Sequence, residues 1–354
     1  MSLLDQARAF TYERQQLGRS GADPLAMLDD IVGVYSSHPS APLTLRARIK
    51  DLAPPAFTRL DEERLAVRIA GPRGSIHLVS RACAGKIAGA FSSFEVHNRS
   101  AYKYFGIDEA QVPALQAKVL AAAAEPVAAG VLKQATGLEE GTNAIVGSLT
   151  RSGQLLRLAA PGLRSNALRY VRTESWLGAP LERDQPEAAR AWLAERYLRA
   201  FGPAERDDFR WWSGFAAAEA DAALAAIDTT DVGDGLLLRT EDVAAFEQAR
   251  PVSPTAIDLI PKWDMLAMGY PAAGRARFLD RDNADRAYDH RGDSIAQILI
   301  GGVAQGAWTM KAAGKQLQFT LDYFERPTAK LRSAVEAEFT ELAAFLGASG
   351  AVFR

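Results

Sequence analysis

The sequence predicts an α+β protein: three consecutive helix-rich units, each closed by a two-strand hairpin, then a strand-rich domain with one final helix. Two observations carry this. Runs of apolar residues at helical spacing recur in groups of about three, each group followed by alternating residues around a Gly- or Pro-containing break. From Ile257 onward the helical spacing gives way to repeated short alternating runs until a last amphipathic stretch at 329–347.

The first unit, 1–105, opens with apolar residues at helical spacing over 3–17, broken by Gly18 and Gly21. Asp23-Pro24 starts the next helix, because Asp caps and Pro fits the first turn. A further helix is expected over 43–50, ahead of Pro54-Pro55, and a short one from Ala56. LAVRIAGPRGSIHLVS then alternates on both sides of Gly71-Pro72-Arg73-Gly74, the pattern of a hairpin.

The second unit, 106–184, starts with an Asp108 cap and the alanine-rich helix EAQVPALQAKVLAAAA. Pro126 marks a second start, Thr136-Gly137 a break, and TNAIVGSLTRSG a third helix. QLLRLAAPGLRSNALRYVR supplies two strands joined across 161–166. In the third unit, 185–255, EAARAWLAERYLRAF is strongly amphipathic and Gly202-Pro203 ends it. RDDFRWWSGF, with Asp207 as the expected cap, and AAAEADAALAAI are the next helices, and GDGLLLRTEDV holds a strand. Trp211 and Trp212 read as core of this unit.

Residues 256–354 form the last domain. AIDLIP, ARFLD, SIAQILIGG, VAQGAWTMK and KQLQFTLDYF read as strands, with Gly301-Gly302 as a tight hairpin turn. AKLRSAVEAEFTELAAFLG reads as a closing helix stopped by Gly347. A barrel-like or curved sheet with one covering helix is expected. Each of the three preceding units has the size and order of a winged helix, the helix-turn-helix variant whose third helix can enter a major groove and whose hairpin flanks it.

Composition narrows the function. With 48% hydrophobic and 24% charged residues over 354 positions the chain is ordinary for a soluble multi-domain protein, and no apolar run reaches the length of a membrane span. The charged N-terminus lacks the apolar stretch of a signal peptide. One cysteine, Cys83, excludes intrachain disulfides and a cysteine-cluster metal site, so a cytosolic protein is expected. Four scattered histidines have no metal spacing, and no phosphate-cradling Gly-Lys loop, His-Glu-x-x-His or Gly-x-Ser-x-Gly is present; no cofactor is expected. Net charge is only −2, yet between 141 and 173 five arginines (Arg151, Arg157, Arg164, Arg169, Arg172) stand without a single acid. Such a stripe on a near-neutral protein suits phosphate.

Four segments together resemble the bacterial winged-helix DNA glycosylases of the AlkZ/YcaQ type. YLRAFGPAERDDFRWWSGF (197–215) is similar to that family's diagnostic segment. PRGSIHLVS (72–80) resembles its Arg-Gly-Thr-x-His-Leu hairpin, with Ser75 for Thr. DLIPKWDMLAMGY (258–270) resembles its Leu-x-Pro-x-x-Asp-x-x-x-x-Gly-Tyr element, and ILIGGVAQGAWTMK its Val-Asp-Gly-x-x-x-Gly-x-Trp hairpin, with Gly301 where Asp is usual. The resemblance spans nearly the whole chain. It implies three tandem winged helices around a channel plus a C-terminal β-domain. It also implies metal-free hydrolysis of the N-glycosidic bond at alkylated or crosslinked purines in duplex DNA.

The resemblance also exposes a departure. The family's catalytic pair is Gln-x-Gln or Gln-x-Asp shortly after the second helix. Here that stretch is GVYSSHPSAP (33–42), which puts Tyr35 at the first Gln and Ser37 at the second position, with His38 next. The reaction passes through a sugar of oxocarbenium character and needs a held water. Ser37 can position that water but is no base; His38 can do both, since free imidazole titrates near pH ~6.5. Tyr35 can stack on an extruded base or donate a hydrogen bond, or belong to the core. A purine made cationic by alkylation leaves with little acid help. Arg73 at the hairpin tip, His77, Arg151, Arg164, Arg169 and Arg172 are the candidate DNA-binding residues, although His77, alternating with Ser75, also fits a packed histidine. Asp264 beside Trp263 can orient a strand end or a ligand.

The expected partner is damaged double-stranded DNA, bound by a monomer in the bacterial cytosol or nucleoid. Two other readings stay open. The missing Gln pair favours a non-catalytic winged-helix DNA-binding protein for lesion recognition or transcription regulation. The net acidic C-terminal half permits a scaffold for protein or small-molecule binding.

Overall fold

The computed structural model describes residues 1–18, 20–36, 40–93 and 98–354. They divide into two compact units: Met1–Tyr35 with Ser40–Phe57 and Ala194–Arg354, and Ser36–Pro39 with Thr58–Leu193.

In the first unit the helix Leu3–Arg14 is capped by Ser2, whose hydroxyl accepts from the Asp5 N–H. The helix Pro24–Asp30 starts as expected, with Asp23 accepting from the N–H groups of Leu25 and Ala26. The helix Ala41–Arg48 is buried at every position. A helix buried all round should be apolar all round, so Arg46 and Arg48 must find partners inside. Arg206–Ser213 and Ala217–Ala225 follow, then the hairpin of Thr229–Asp231 with Leu237–Arg239. The cap of Arg206–Ser213 is Glu205, not Asp207; Asp208 accepts from the Glu205 N–H at 3.0 Å and so occupies the reciprocal position of the cap. Tyr197 packs against Trp212, Phe201 and Phe209 with ring centroids 4.9, 5.0 and 5.3 Å away. Trp212 is thus core, whereas Trp211 stays partly exposed.

The unit ends in a five-stranded sheet ordered Ala351–Phe353, Gln316–Tyr323, Val303–Ala313, Gln297–Ile300, Ile257–Ile260. Ile300 pairs with Val303 around Gly301 and Gly302, both at positive φ (61° and 79°), as a two-residue hairpin turn demands. The helix Ala329–Phe345 lays Phe339 against Phe319 and Trp308, at centroid distances of 4.7 and 5.4 Å. Among the described residues no pairing joins the two edge strands, so the sheet is open rather than a closed barrel. Two details differ from expectation. Ala351–Phe353 adds a parallel edge strand after the closing helix. The stretch ARFLD is not a strand: residues Ala273–Arg277 form a 3-10 turn in which Arg275 and Arg277 bury while Ala276 is exposed, an alternation that mimics strand spacing.

In the second unit, Ala66–Ala70 pairs antiparallel with Ile76–Ser80, and Leu155–Leu158 with Arg169–Arg172. The two hairpins meet at Arg68 opposite Arg157, so they share one sheet, edged by Val127–Ala128 against Arg169–Arg172. The helices Val112–Ala122, Ala129–Thr136 and Thr142–Arg151 bury Val119, Leu132, Ile145 and Leu149 completely in one cluster. Gly137 ends the middle helix in the left-handed conformation that a side chain would strain.

Candidate functional site

The stretch 33–42 is described at 33–36 and 40–42; Ser37 and His38 lie outside the described residues. Its entry and its exit are both tied, within the first unit, to one turn at 261–266. On the entry side Tyr35 ends the short strand Val34–Tyr35, and its half-buried ring lies 4.9 Å from that of Trp263. On the exit side Arg48, in the helix that begins at Ala41, grips Asp264. Its Nη1 donates to Oδ2 at 2.8 Å and its Nη2 to Oδ1 at 3.0 Å.

The turn itself is held under strain. Trp263 has φ of 58°, a region that bulky residues rarely enter. Its N–H donates to Ser294 Oγ at 2.9 Å, and the neighbouring Asp264 Oδ1 accepts from the Leu266 N–H at 2.9 Å. Lys262 Nζ sits 4.3 Å from the centre of the Trp263 ring. Strained backbone that its surroundings over-determine concentrates at functional positions. Arg48 also donates to Gln15 Oε1 at 2.8 Å, and Gln15 in turn donates to the Ala200 carbonyl at 2.8 Å. This glutamine is therefore fully used in the core.

In the second unit Ser36 is fixed through both backbone and side chain. Its N–H donates to the Ile76 carbonyl at 2.7 Å, and its hydroxyl accepts from Arg68 Nε at 2.9 Å. Arg68 is buried and paired with Asp61.

The candidate DNA contacts in the second unit differ among themselves. Arg73 is exposed at the hairpin tip, in a left-handed conformation (φ 55°). His77 is buried with Nδ1 3.0 Å from the Ser75 carbonyl. Burial pushes its pKa down to about 4, the Ser75 carbonyl opposes that shift, and Arg73 adds to it. His77 is therefore neutral at physiological pH and packs as part of the hairpin. Arg151 Nε donates to Asn98 Oδ1 at 2.8 Å, and burial lowers the pKa of the arginine. Arg172 is exposed and paired with Glu174. Arg164 is exposed and Arg169 half-buried, and among the described residues neither forms an ion pair. Arg164, Arg169 and Arg172 share one hairpin, the first in its connection and the other two on its second strand.

Trp263, Arg48 and Arg68 escaped the sequence reading. A signal existed for Arg48: LTLRAR places charges in a helix with no polar face. Nothing in the local pattern marked Arg68, and Trp263 was noticed only as the neighbour of Asp264.

The sequence model of one protein family, DNA glycosylase AlkZ-like, matches residues 28–345. The chain belongs to the AlkZ-like DNA glycosylase family. It is accordingly a DNA-repair protein of the DNA-binding, hydrolytic glycosylase class. Among solved structures, the DNA glycosylase AlkZ of Streptomyces sahachiroi shares its fold, with a TM-score of 0.78 over 99% of both chains at 18% identity. No curated protein matches the sequence. Among the described residues of this AlkZ-like chain no helix is long and apolar enough to cross a membrane, and no group of three His, Cys, Asp or Glu is placed to hold a metal.

Proposed function

We propose that this AlkZ-like chain is a monofunctional glycosylase that hydrolyses the N-glycosidic bond of alkylated or otherwise damaged bases in double-stranded DNA. The observation that carries the reading is that Tyr35 and the helix Ala41–Arg48 both meet the 263–264 turn, through Tyr35–Trp263 and Arg48–Asp264. Cleavage requires a water and a leaving base held in one geometry, and groups locked by a supporting shell supply that. In this mechanism Tyr35, together with Trp263, stacks on the extruded base. Ser37 orients the water and His38 takes its proton as the sugar develops positive charge. An alkylated purine is already cationic, so no strong acid is required at the leaving nitrogen.

Arg73, Arg164, Arg169 and Arg172 meet phosphates, which positions the protein without reading sequence. Arg151 and His77, both engaged internally, support this surface from within rather than by touching DNA. The chain acts as a monomer at the nucleoid, in four parts: three winged helices at 1–105, 106–184 and 185–255, and a β-domain at 256–354. The hairpins at 66–80, 155–172 and 229–239, each preceded by helices, favour this division.

The test is release of free base from alkylated duplex DNA, read as abasic sites. Release by the native protein, lost in Ser37→Ala and His38→Ala with DNA binding kept, is the expected result. Binding without release across a range of adducts rejects the enzyme. That outcome would support the second reading, a non-catalytic DNA-binding protein, which Tyr35 and Ser37 favour by standing where the resemblance calls for the Gln pair.

A further inference from the structure

Five arginines of the described chain are buried: Arg46, Arg48, Arg68, Arg275 and Arg277. Four of them bind a carboxylate, from Glu341, Asp264, Asp61 and Asp208 respectively. Arg275 binds none. Its hydrogen bonds are two long ones to carbonyls, Nε to Tyr270 at 3.3 Å and Nη2 to Gly292 at 3.4 Å. The guanidinium instead lies 3.5 Å from the centre of the Tyr288 ring and 5.9 Å from that of Trp211. Nearby acids are committed elsewhere: Asp208 to Arg277 and the Glu205 N–H, Asp289 to its own turn and Lys262. Among the described residues Nη1 donates to nothing, and it is not one of their sealed, unpartnered polar atoms.

A buried cation without an anion is costly, and carbonyls and ring faces offset only part of the loss. Here the cation is also preorganised. The Tyr288 ring lies against its plane, two carbonyls accept from Nε and Nη2, and Nη1 is left without an acceptor among the described residues. Guanidinium presents paired donors that match a phosphate oxyanion.

We propose that Arg275 is a phosphate-binding residue, whose Nη1 takes one phosphate oxyanion. The ligand is a phosphodiester of the DNA backbone, which rests on the DNA-binding reading above; free phosphate shares the same chemistry.

Two arms separate the sources. In the first, binding to an undamaged duplex oligonucleotide is measured over a salt series for the native protein, Arg275→Gln and Arg275→Lys. Each phosphate contact contributes about one to the slope of log K against log salt. Arg275→Gln should lower that slope by about 1 for any duplex sequence, and Arg275→Lys should keep it. In the second, thermal unfolding is compared in inorganic phosphate and in chloride at equal ionic strength. Free phosphate that raises the melting temperature of the native protein and of Arg275→Lys, but not of Arg275→Gln, identifies a free-phosphate site when the duplex slope is unchanged. If the slope and the phosphate shift are both the same in all three proteins, the proposal is overturned. Should Arg275→Gln not fold, the native protein and Arg275→Lys decide: no added stability in phosphate over chloride in either protein overturns it as well. A native protein that fails to bind duplex DNA rejects the glycosylase reading instead, and the phosphate arm still decides the site.

Discussion

Arg48 holds Asp264 through both carboxylate oxygens, and neither side chain reaches solvent. The pair joins the helix that starts at Ala41, at the end of the candidate catalytic stretch, to the turn that carries Trp263. Replacing a buried ion pair by apolar residues is often tolerated, whereas removing one partner strands a charge at a cost of about 3–5 kcal/mol. Asp264→Leu and Arg48→Met should therefore each destabilise strongly, and the double variant should recover most of the loss. Denaturant unfolding of the three variants reads this directly. Single variants that lose less than about 1 kcal/mol, as an exposed pair would, would show that the bridge does not hold the turn.

Trp263 bears the next expectation. Its ring meets Tyr35, and its backbone is strained at φ 58°. Stacking on a base is worth about 1–3 kcal/mol, so Trp263→Ala should raise KM for base release by roughly tenfold or more. Trp263→Phe should retain most activity. Because the left-handed conformation is costly for any side chain, Trp263→Gly should unfold at a higher denaturant concentration than Trp263→Ala while being as poor an enzyme. A Trp263→Ala protein with native KM would remove this ring from the substrate.

The secondary structure was largely legible because local signals and packing agree. The Asp23-Pro24 start, the Gly301-Gly302 turn and the alternation around 71–74 act over a few residues, and nothing distant overrides them. Where packing sets the local pattern, reading failed. Arg275 and Arg277 bury on either side of exposed Ala276 in a 3-10 turn, and spacing alone cannot separate that from a strand. The candidate site was half legible for the same reason. Tyr35 could be found by its position after the second helix, but its partner Trp263 lies more than two hundred residues away. Likewise, the absence of acid between 141 and 173 marks a basic stripe but does not reveal that Arg151 spends its guanidinium on Asn98.

The stripe supports a graded prediction. Arg164 and Arg169 lack ion pairs among the described residues, Arg172 shares its charge with Glu174, and Arg151 is half-buried on Asn98. Arg164→Gln and Arg169→Gln should each lower the salt slope of duplex binding by about 1. Arg172→Gln should lower it by less, and Arg151→Gln should act mainly on stability. Salt titrations of the four variants order them; an Arg151→Gln protein with native stability and the largest loss of slope would reverse the assignment.

His77 makes the hairpin sensitive to acid. Burial lowers its pKa to about 4 from the ordinary 6.5. An unfolded chain binds a proton at His77 below pH 6.5 that the folded chain refuses until about pH 4. Stability from this group is therefore complete above pH 6.5 and is lost as pH falls between those values. The loss amounts to about 3 kcal/mol by pH 4. Native protein should accordingly unfold at lower denaturant concentrations at pH 5 than at pH 7, and His77→Gln should flatten that dependence while lowering stability at pH 7, where the buried imidazole fills its space. Equal pH dependence in the two proteins would mean that His77 takes up its proton alike in the folded and unfolded chain, so that burial does not lower its pKa.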